Sequence, residues 1–167
     1  MANSFGTKID IQIDIFKENE GGVGMSKLSY IEMRDKHQKE VNDFPMIFAF
    51  SAEQLKEGLL KLGVTLKECY SIGNGGFIRK ADSEQFINMM TSHHEELMDA
   101  LKDKDFARNA FRVEMDNREY AINWDGDDDV LAVFGLTFEK LEEMGLLSVY
   151  CEARESHMRM MEENGYI

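Results

Sequence analysis

From Lys8 to Phe16 the chain alternates without a break. Ile9, Ile11, Ile13 and Ile15 fall on one side, and Lys8, Asp10, Gln12 and Asp14 on the other. A period of two marks a strand with one wet face. Gly21, Gly22 and Gly24 then form a joint. Residues 1–24 therefore read as an N-terminal strand or arm, and residues 25–167 as one domain. The isoleucine stripe needs a cover. The sheet of the same chain could supply it, or a second copy, so these isoleucines are a candidate homodimer interface or a self-assembly strand.

Beyond the joint the period becomes helical. Ser29 with Glu32 three residues on fits a capping box, and Tyr30, Met33, His37, Val41 and Phe44 fall on one face. Asp43-Phe44-Pro45 stops that helix. Met46 to Phe50 is a short continuous apolar run, expected as a buried strand. Ser51 and Gln54 suggest a second capping box, Leu55, Leu59 and Leu62 a helical stripe, and Gly63 its C-terminal stop. Glu68–Ile72 and Phe77–Arg79 read as a hairpin around Gly73-Asn74-Gly75-Gly76. A long helix capped by Asp82 or Ser83 follows, with Phe86, Met89 or Met90, His93, Leu97 and Leu101 inward. Lys102–Asp105 is a charged break before another helix through Phe106, Ala110 and Val113. Glu119–Trp124 suggests a short strand. Helices from Asp127 to Phe134, from Thr137 to Gly145, and from about Leu146 to Glu163 complete the chain. This order predicts an α+β fold: a small, largely antiparallel sheet packed against helices, with a helical C-terminal region.

A chain of 167 residues with 43 % hydrophobic side chains can bury a core in one domain. No apolar run approaches the roughly 20 residues of a membrane span. Met1–Asp10 lacks the apolar stretch of a signal peptide. Cys69 and Cys151 are far apart in apolar-patterned segments and are expected as free thiols in a reducing cytoplasm. The many methionines suit core filling.

Charge changes the picture more. Eleven carboxylates lie from Asp125 onward against three cations, whereas residues 26–124 carry 14 basic and 17 acidic side chains. Such an end repels phosphate and favours solvent or a basic partner. Asp125, Asp127, Asp128, Asp129, Glu139, Glu142, Glu143, Glu152 and Glu155 are the candidate partner-binding residues, with a basic host protein as partner. Val130–Leu141 has a helix-turn-helix cadence, but its second helix offers Lys140 among Glu139, Glu142 and Glu143, so direct nucleic-acid binding is not expected.

Other motifs carry less. A calcium loop starting at Asp125 would need glycine and glutamate where Val130 and Leu136 stand, so helix capping is the plainer role of the aspartates. His93-His94-Glu95-Glu96 is not H-E-x-x-H, and one histidine is expected at the core boundary with the other in solvent. The glycine turn lacks a phosphate-loop continuation; Asn74, Gly75, Arg79 and Lys80 remain a candidate anion site for a small-ligand or nucleotide binder, or an enzyme, with His93 or His94 lining the pocket. No catalytic constellation, cofactor or metal site stands out, so a non-enzymatic protein is the first expectation.

Phe48–Gly63 and Ile72–Asp82 resemble a small family of uncharacterised acidic proteins from phages and mobile elements of Gram-positive bacteria. The resemblance spans roughly Ile31 to Leu141. It implies a setting in host–phage conflict or element maintenance, where an inhibitor of a host nucleic-acid-handling or defence protein would act. It brings no catalytic residue with it.

Overall fold

Local caps set the boundaries of the elements in this computed structural model, which describes residues 28–118 and 126–166. Helix α1, Tyr30–Asp43, begins at a complete capping box: Ser29 accepts from the Glu32 amide while the Glu32 carboxylate accepts from the Ser29 amide. Strand β1, Met46–Phe48, follows the proline. Helix α2, Ala52–Leu62, starts at Ser51, whose hydroxyl accepts from the Gln54 amide. The reciprocal half of the expected second box is missing, because the Gln54 side chain reaches past Ser51 to the Phe50 amide. Gly63 closes α2 in the left-handed region at φ 68°.

Strands β2, Cys69–Gly73, and β3, Gly76–Arg79, form the expected hairpin. Its turn holds Asn74 at φ 47° and Gly75 at φ 76°, the paired positive angles of a primed two-residue turn. The sheet is antiparallel in the order β1-β3-β2. Tyr70 and Met46 both lie opposite Ile78, so one face carries Met46, Ile78 and Tyr70, and the other Ile47, Phe77 and Ser71. Helix α2 packs on the second face, where Gly58 lets its backbone meet Ile47.

The apolar run Met46–Phe50 does not form a buried strand. Among the described residues β1 is an edge strand, and Phe48 and Phe50 are 56 % and 78 % exposed. Of the three strands among the described residues one is interior, so apolar content does not guarantee burial.

Helix α3 spans Ser83–Ala100 and α4 Lys104–Asn117, with α5 at Gly126–Phe134, α6 at Phe138–Glu143 and α7 at Leu147–Glu163. Asp82 precedes α3 but does not cap it with its side chain, which is engaged by Arg79. The inward face of α3 is thinner than its periodicity implies: His93 is buried, Phe86, Met89 and Leu97 are half-buried, and Met90 is exposed. The main core is helical. Leu101 at the end of α3 joins Ala107, Phe111 and Met115 of α4, Leu131 and Phe134 of α5, Leu141 of α6, and Val149 and Tyr150 of α7. Phe111 meets Phe134 and Tyr150 edge-on at centroid distances of 5.3 and 5.2 Å, the geometry that aromatic quadrupoles favour. Thr137 caps α6, and Gly135, Gly145 and Gly165 follow α5, α6 and α7 at positive φ. The N-terminal strand with its isoleucines, the glycine joint and the Glu119–Trp124 strand lie outside the described residues.

Candidate functional site

Helices α1 and α3 present their histidines to each other, and a cleft of about 410 Å³ opens beside them. The rings of His37 and His93 stack at 4.0 Å, tilted by 12°. His37 Nε2 lies 2.9 Å from Glu96 of α3, and His93 Nε2 contacts Glu40 of α1. Each helix thus contributes one His-x-x-Glu pair, and each histidine bonds the glutamate of the other helix. The carboxylates are acceptors, so Nε2 carries the proton in both rings. The hydrogen bond from His93 holds the Glu40 carboxyl below its ordinary range. His37, and then Lys36 at 2.8 Å, do the same for Glu96.

The reciprocal pattern sends the two Nε2 atoms to opposite helices, so they share no centre. Among the described residues no group of three or more His, Cys, Asp or Glu side chains could hold a metal ion. His93 is the boundary histidine expected from the sequence, and His94 is exposed.

Met33, Val41, Met90, Leu97 and Val133 supply the apolar lining of the cleft, and Tyr30, Arg34 and Gln38 its further polar groups. The Tyr30 hydroxyl donates to buried Glu114 of α4 at 2.8 Å. Burial first, and this bond second, push the Tyr30 phenol far above its ordinary range. Arg34 and Arg118 approach the same carboxylate at 3.7 and 3.6 Å. Arg34, Glu40 and Glu114 were not singled out by the sequence reading. The signal for Glu40 was present: the spacing His37-x-x-Glu40 recurs as His93-x-x-Glu96. Nothing local marks Glu114, whose phenolic partner is 84 residues away.

The candidate anion residues sit on the hairpin. Asn74 and Gly75 form its turn, and the Gly75 carbonyl accepts from Ala49 at 2.8 Å. Arg79 is hydrogen-bonded to Asp82, and the Lys80 ammonium lies 5.2 Å from the Tyr70 ring centroid. Neither residue lines the α1–α3 cleft, whereas His93 does.

The C-terminal acids divide into two groups. Asp127 accepts from the Tyr150 hydroxyl at 2.7 Å and faces Arg154 at 3.8 Å. Glu143 pairs with Lys140, and Glu152 with Arg108 of α4. Asp128, Asp129, Glu139, Glu142 and Glu155 are exposed. The amide at the start of α6 and the Thr137 hydroxyl keep the Glu139 carboxyl below its ordinary range. Asp125 lies outside the described residues. The helix-turn-helix cadence is a helical hairpin whose buried residues, Val130, Leu131, Phe134, Leu136 and Leu141, enter the core.

No helix among the described residues is long and apolar enough to cross a membrane. The model of one protein family, described as a family of unknown function (DUF7659), matches residues 29–155. No curated protein and no solved structure matches the chain.

Proposed function

The chain belongs to that family of unknown function, matched from the cap of α1 into α7, and we propose that it is a non-enzymatic interaction protein whose α5–α7 carboxylates engage a basic partner. One observation carries this reading. Residues 126–166 hold ten carboxylates and three cations. Only Asp127, Glu143 and Glu152 of these carboxylates have a cation within salt-bridge distance among the described residues. The open acids stand on helices anchored in the main core by Leu131, Phe134, Leu141, Val149 and Tyr150. Their charge is therefore presented on a pre-ordered surface, which favours fast, salt-sensitive association. The finer reading is an inhibitor carried by a phage or mobile element that acts in the host cytoplasm on a nucleic-acid-handling or defence protein. It rests on the resemblance of Phe48–Gly63 and Ile72–Asp82 and on the likeness of spaced carboxylates to a phosphate backbone.

The test is capture of host proteins on immobilised chain at low and high salt. It is repeated with Asp128→Asn, Asp129→Asn, Glu139→Gln and Glu142→Gln combined. A basic partner is expected at low salt, lost at high salt and lost with the neutralised variant. A partner indifferent to both changes would overturn the reading.

A further inference from the structure

We propose that the α1–α3 cleft binds a small organic monocarboxylate with an apolar body. The cleft's volume, about 410 Å³, falls within the range of small-molecule sites. Its walls supply Met33, Val41, Met90, Leu97 and Val133, and the two methionines can adapt to the contour of a flat or branched body. The polar groups decide what the ligand carries.

Most of those groups are already committed. His37 and His93 spend their Nε2–H on Glu96 and Glu40. Tyr30 spends its hydroxyl on Glu114, and Gln38 donates to Asn42. Arg34 is different. Among the described residues its nearest carboxylates, Glu114 and Asp35, lie at 3.7 and 3.9 Å, beyond hydrogen-bond length. Glu114 takes its hydrogen bonds from elsewhere, from Tyr30 at 2.8 Å and Asn117 at 3.4 Å, with Arg118 a second nearby cation at 3.6 Å. The Arg34 guanidinium, 44 % exposed, thus keeps its donors for something else at the edge of an apolar cleft.

A planar fork of N–H groups matches a carboxylate in bidentate fashion. One cation with Glu114 close behind it favours a single negative charge over a phosphate dianion. The site therefore selects an apolar acid: its carboxylate lies on Arg34, and its body between α1 and α3. This site is separate from the acidic C-terminal surface, and either can fail without the other.

The probe is phenylbutyrate, with phenylbutyramide as its uncharged counterpart. Each is titrated into the full chain at millimolar concentration and followed by amide chemical shifts and by thermal midpoint. Phenylbutyrate is expected to raise the midpoint and to move resonances of α1, α3 and Val133, leaving those of α7 in place. Phenylbutyramide, and phenylbutyrate with the Arg34→Gln variant, are each expected to bind roughly tenfold more weakly or not at all. Val133→Trp is expected to block the cleft while Arg34 remains. Circular dichroism of both variants checks that the fold is kept. The proposal is overturned if acid and amide bind alike, if Arg34→Gln binds as the parent does, if the shifts map elsewhere, or if phenylbutyrate does not bind.

Discussion

The Tyr30 hydroxyl donates to the buried carboxylate of Glu114 across 2.8 Å, joining the first turn of α1 to the last turn of α4. The ring of Tyr30 is held between Phe106 and Phe134, at centroid distances of 6.1 and 5.7 Å. Tyr30→Phe keeps that packing and deletes only the donor. Glu114, 4 % exposed, would then lose its shortest hydrogen bond. Leaving a buried acceptor short of a partner costs about 1–3 kcal/mol. Urea unfolding of Tyr30→Phe should show a loss in that range with an unchanged m-value. Adding Glu114→Gln should cost less than the sum of the single losses, because the two residues share the interaction.

Gly58 has a packing role on α2. A Cβ placed there would lie 2.5 Å from Ile47 Cδ1 and 3.0 Å from its Cβ. Alanine gains about 1 kcal/mol in helix propensity over glycine. Overpacking costs about 1–3 kcal/mol. The clash reaches past the flexible end of Ile47 to its branch point, so the loss prevails, and Gly58→Ala should lower stability. Ile47→Val removes Cδ1, the nearest atom. In the Gly58→Ala background it should recover part of the loss, a positive coupling that a double-mutant cycle reads directly.

The His37–Glu96 and His93–Glu40 pairs predict behaviour in acid. Both glutamates have folded values below the ordinary 4.5. A depressed carboxyl contributes stability above its unfolded value and loses it as pH falls through the folded value. The contribution should therefore be complete above about pH 4.5 and fade below it. Both side chains are solvent-accessible, so the effect is modest. Glu40→Gln with Glu96→Gln should flatten the stability profile below pH 4.5 relative to the parent. An identical acid limb would mean that the pairs do not tighten in solution.

What the sequence disclosed follows from the range of each interaction. The Ser29–Glu32 box, the stop at Gly63, the Asn74-Gly75 turn and the Thr137 cap are settled within four residues, and all are legible. The α+β class follows from the change of period along the chain. Glu114 was not legible, because a charged residue on an amphipathic helix looks solvated until Tyr30 arrives from another helix. The reciprocal His–Glu pairs were half legible: the spacing recurs, but the pairing depends on how α1 meets α3. Phe48 and Phe50 misled because an apolar run reports composition, while burial in a three-stranded sheet depends on strand order. Among the C-terminal acids, sequence gave the density of charge. It could not show that Asp127 and Glu152 are taken up by Tyr150, Arg154 and Arg108.

The two thiols should report on different layers of the molecule. Cys151 is exposed on α7, and Cys69 is buried at the start of β2. Burial, and then the charge of Glu68, raise the Cys69 thiol, so little of it is thiolate at neutral pH. Cys151 should therefore be alkylated at once and Cys69 only after an opening event. The kind of opening can be argued from packing. The main core draws on α1, on Leu101 at the end of α3, on α4 through α7 and on the link before α6, and no residue of β1, β2 or β3 belongs to it. The sheet is held by its own pairings, by α2 on the Ile47 face and by the packing that buries Ile78 on the other, and among the described residues both of its outer strands are edges. A layer that lies outside the main core should open before the helices unfold. In Cys151→Ala, labelling of Cys69 at low denaturant should outpace the rate that global unfolding allows, with a shallower dependence on denaturant. If Cys69 labelling tracks global unfolding across the whole range, sheet and helices form one cooperative unit and this layered account is wrong.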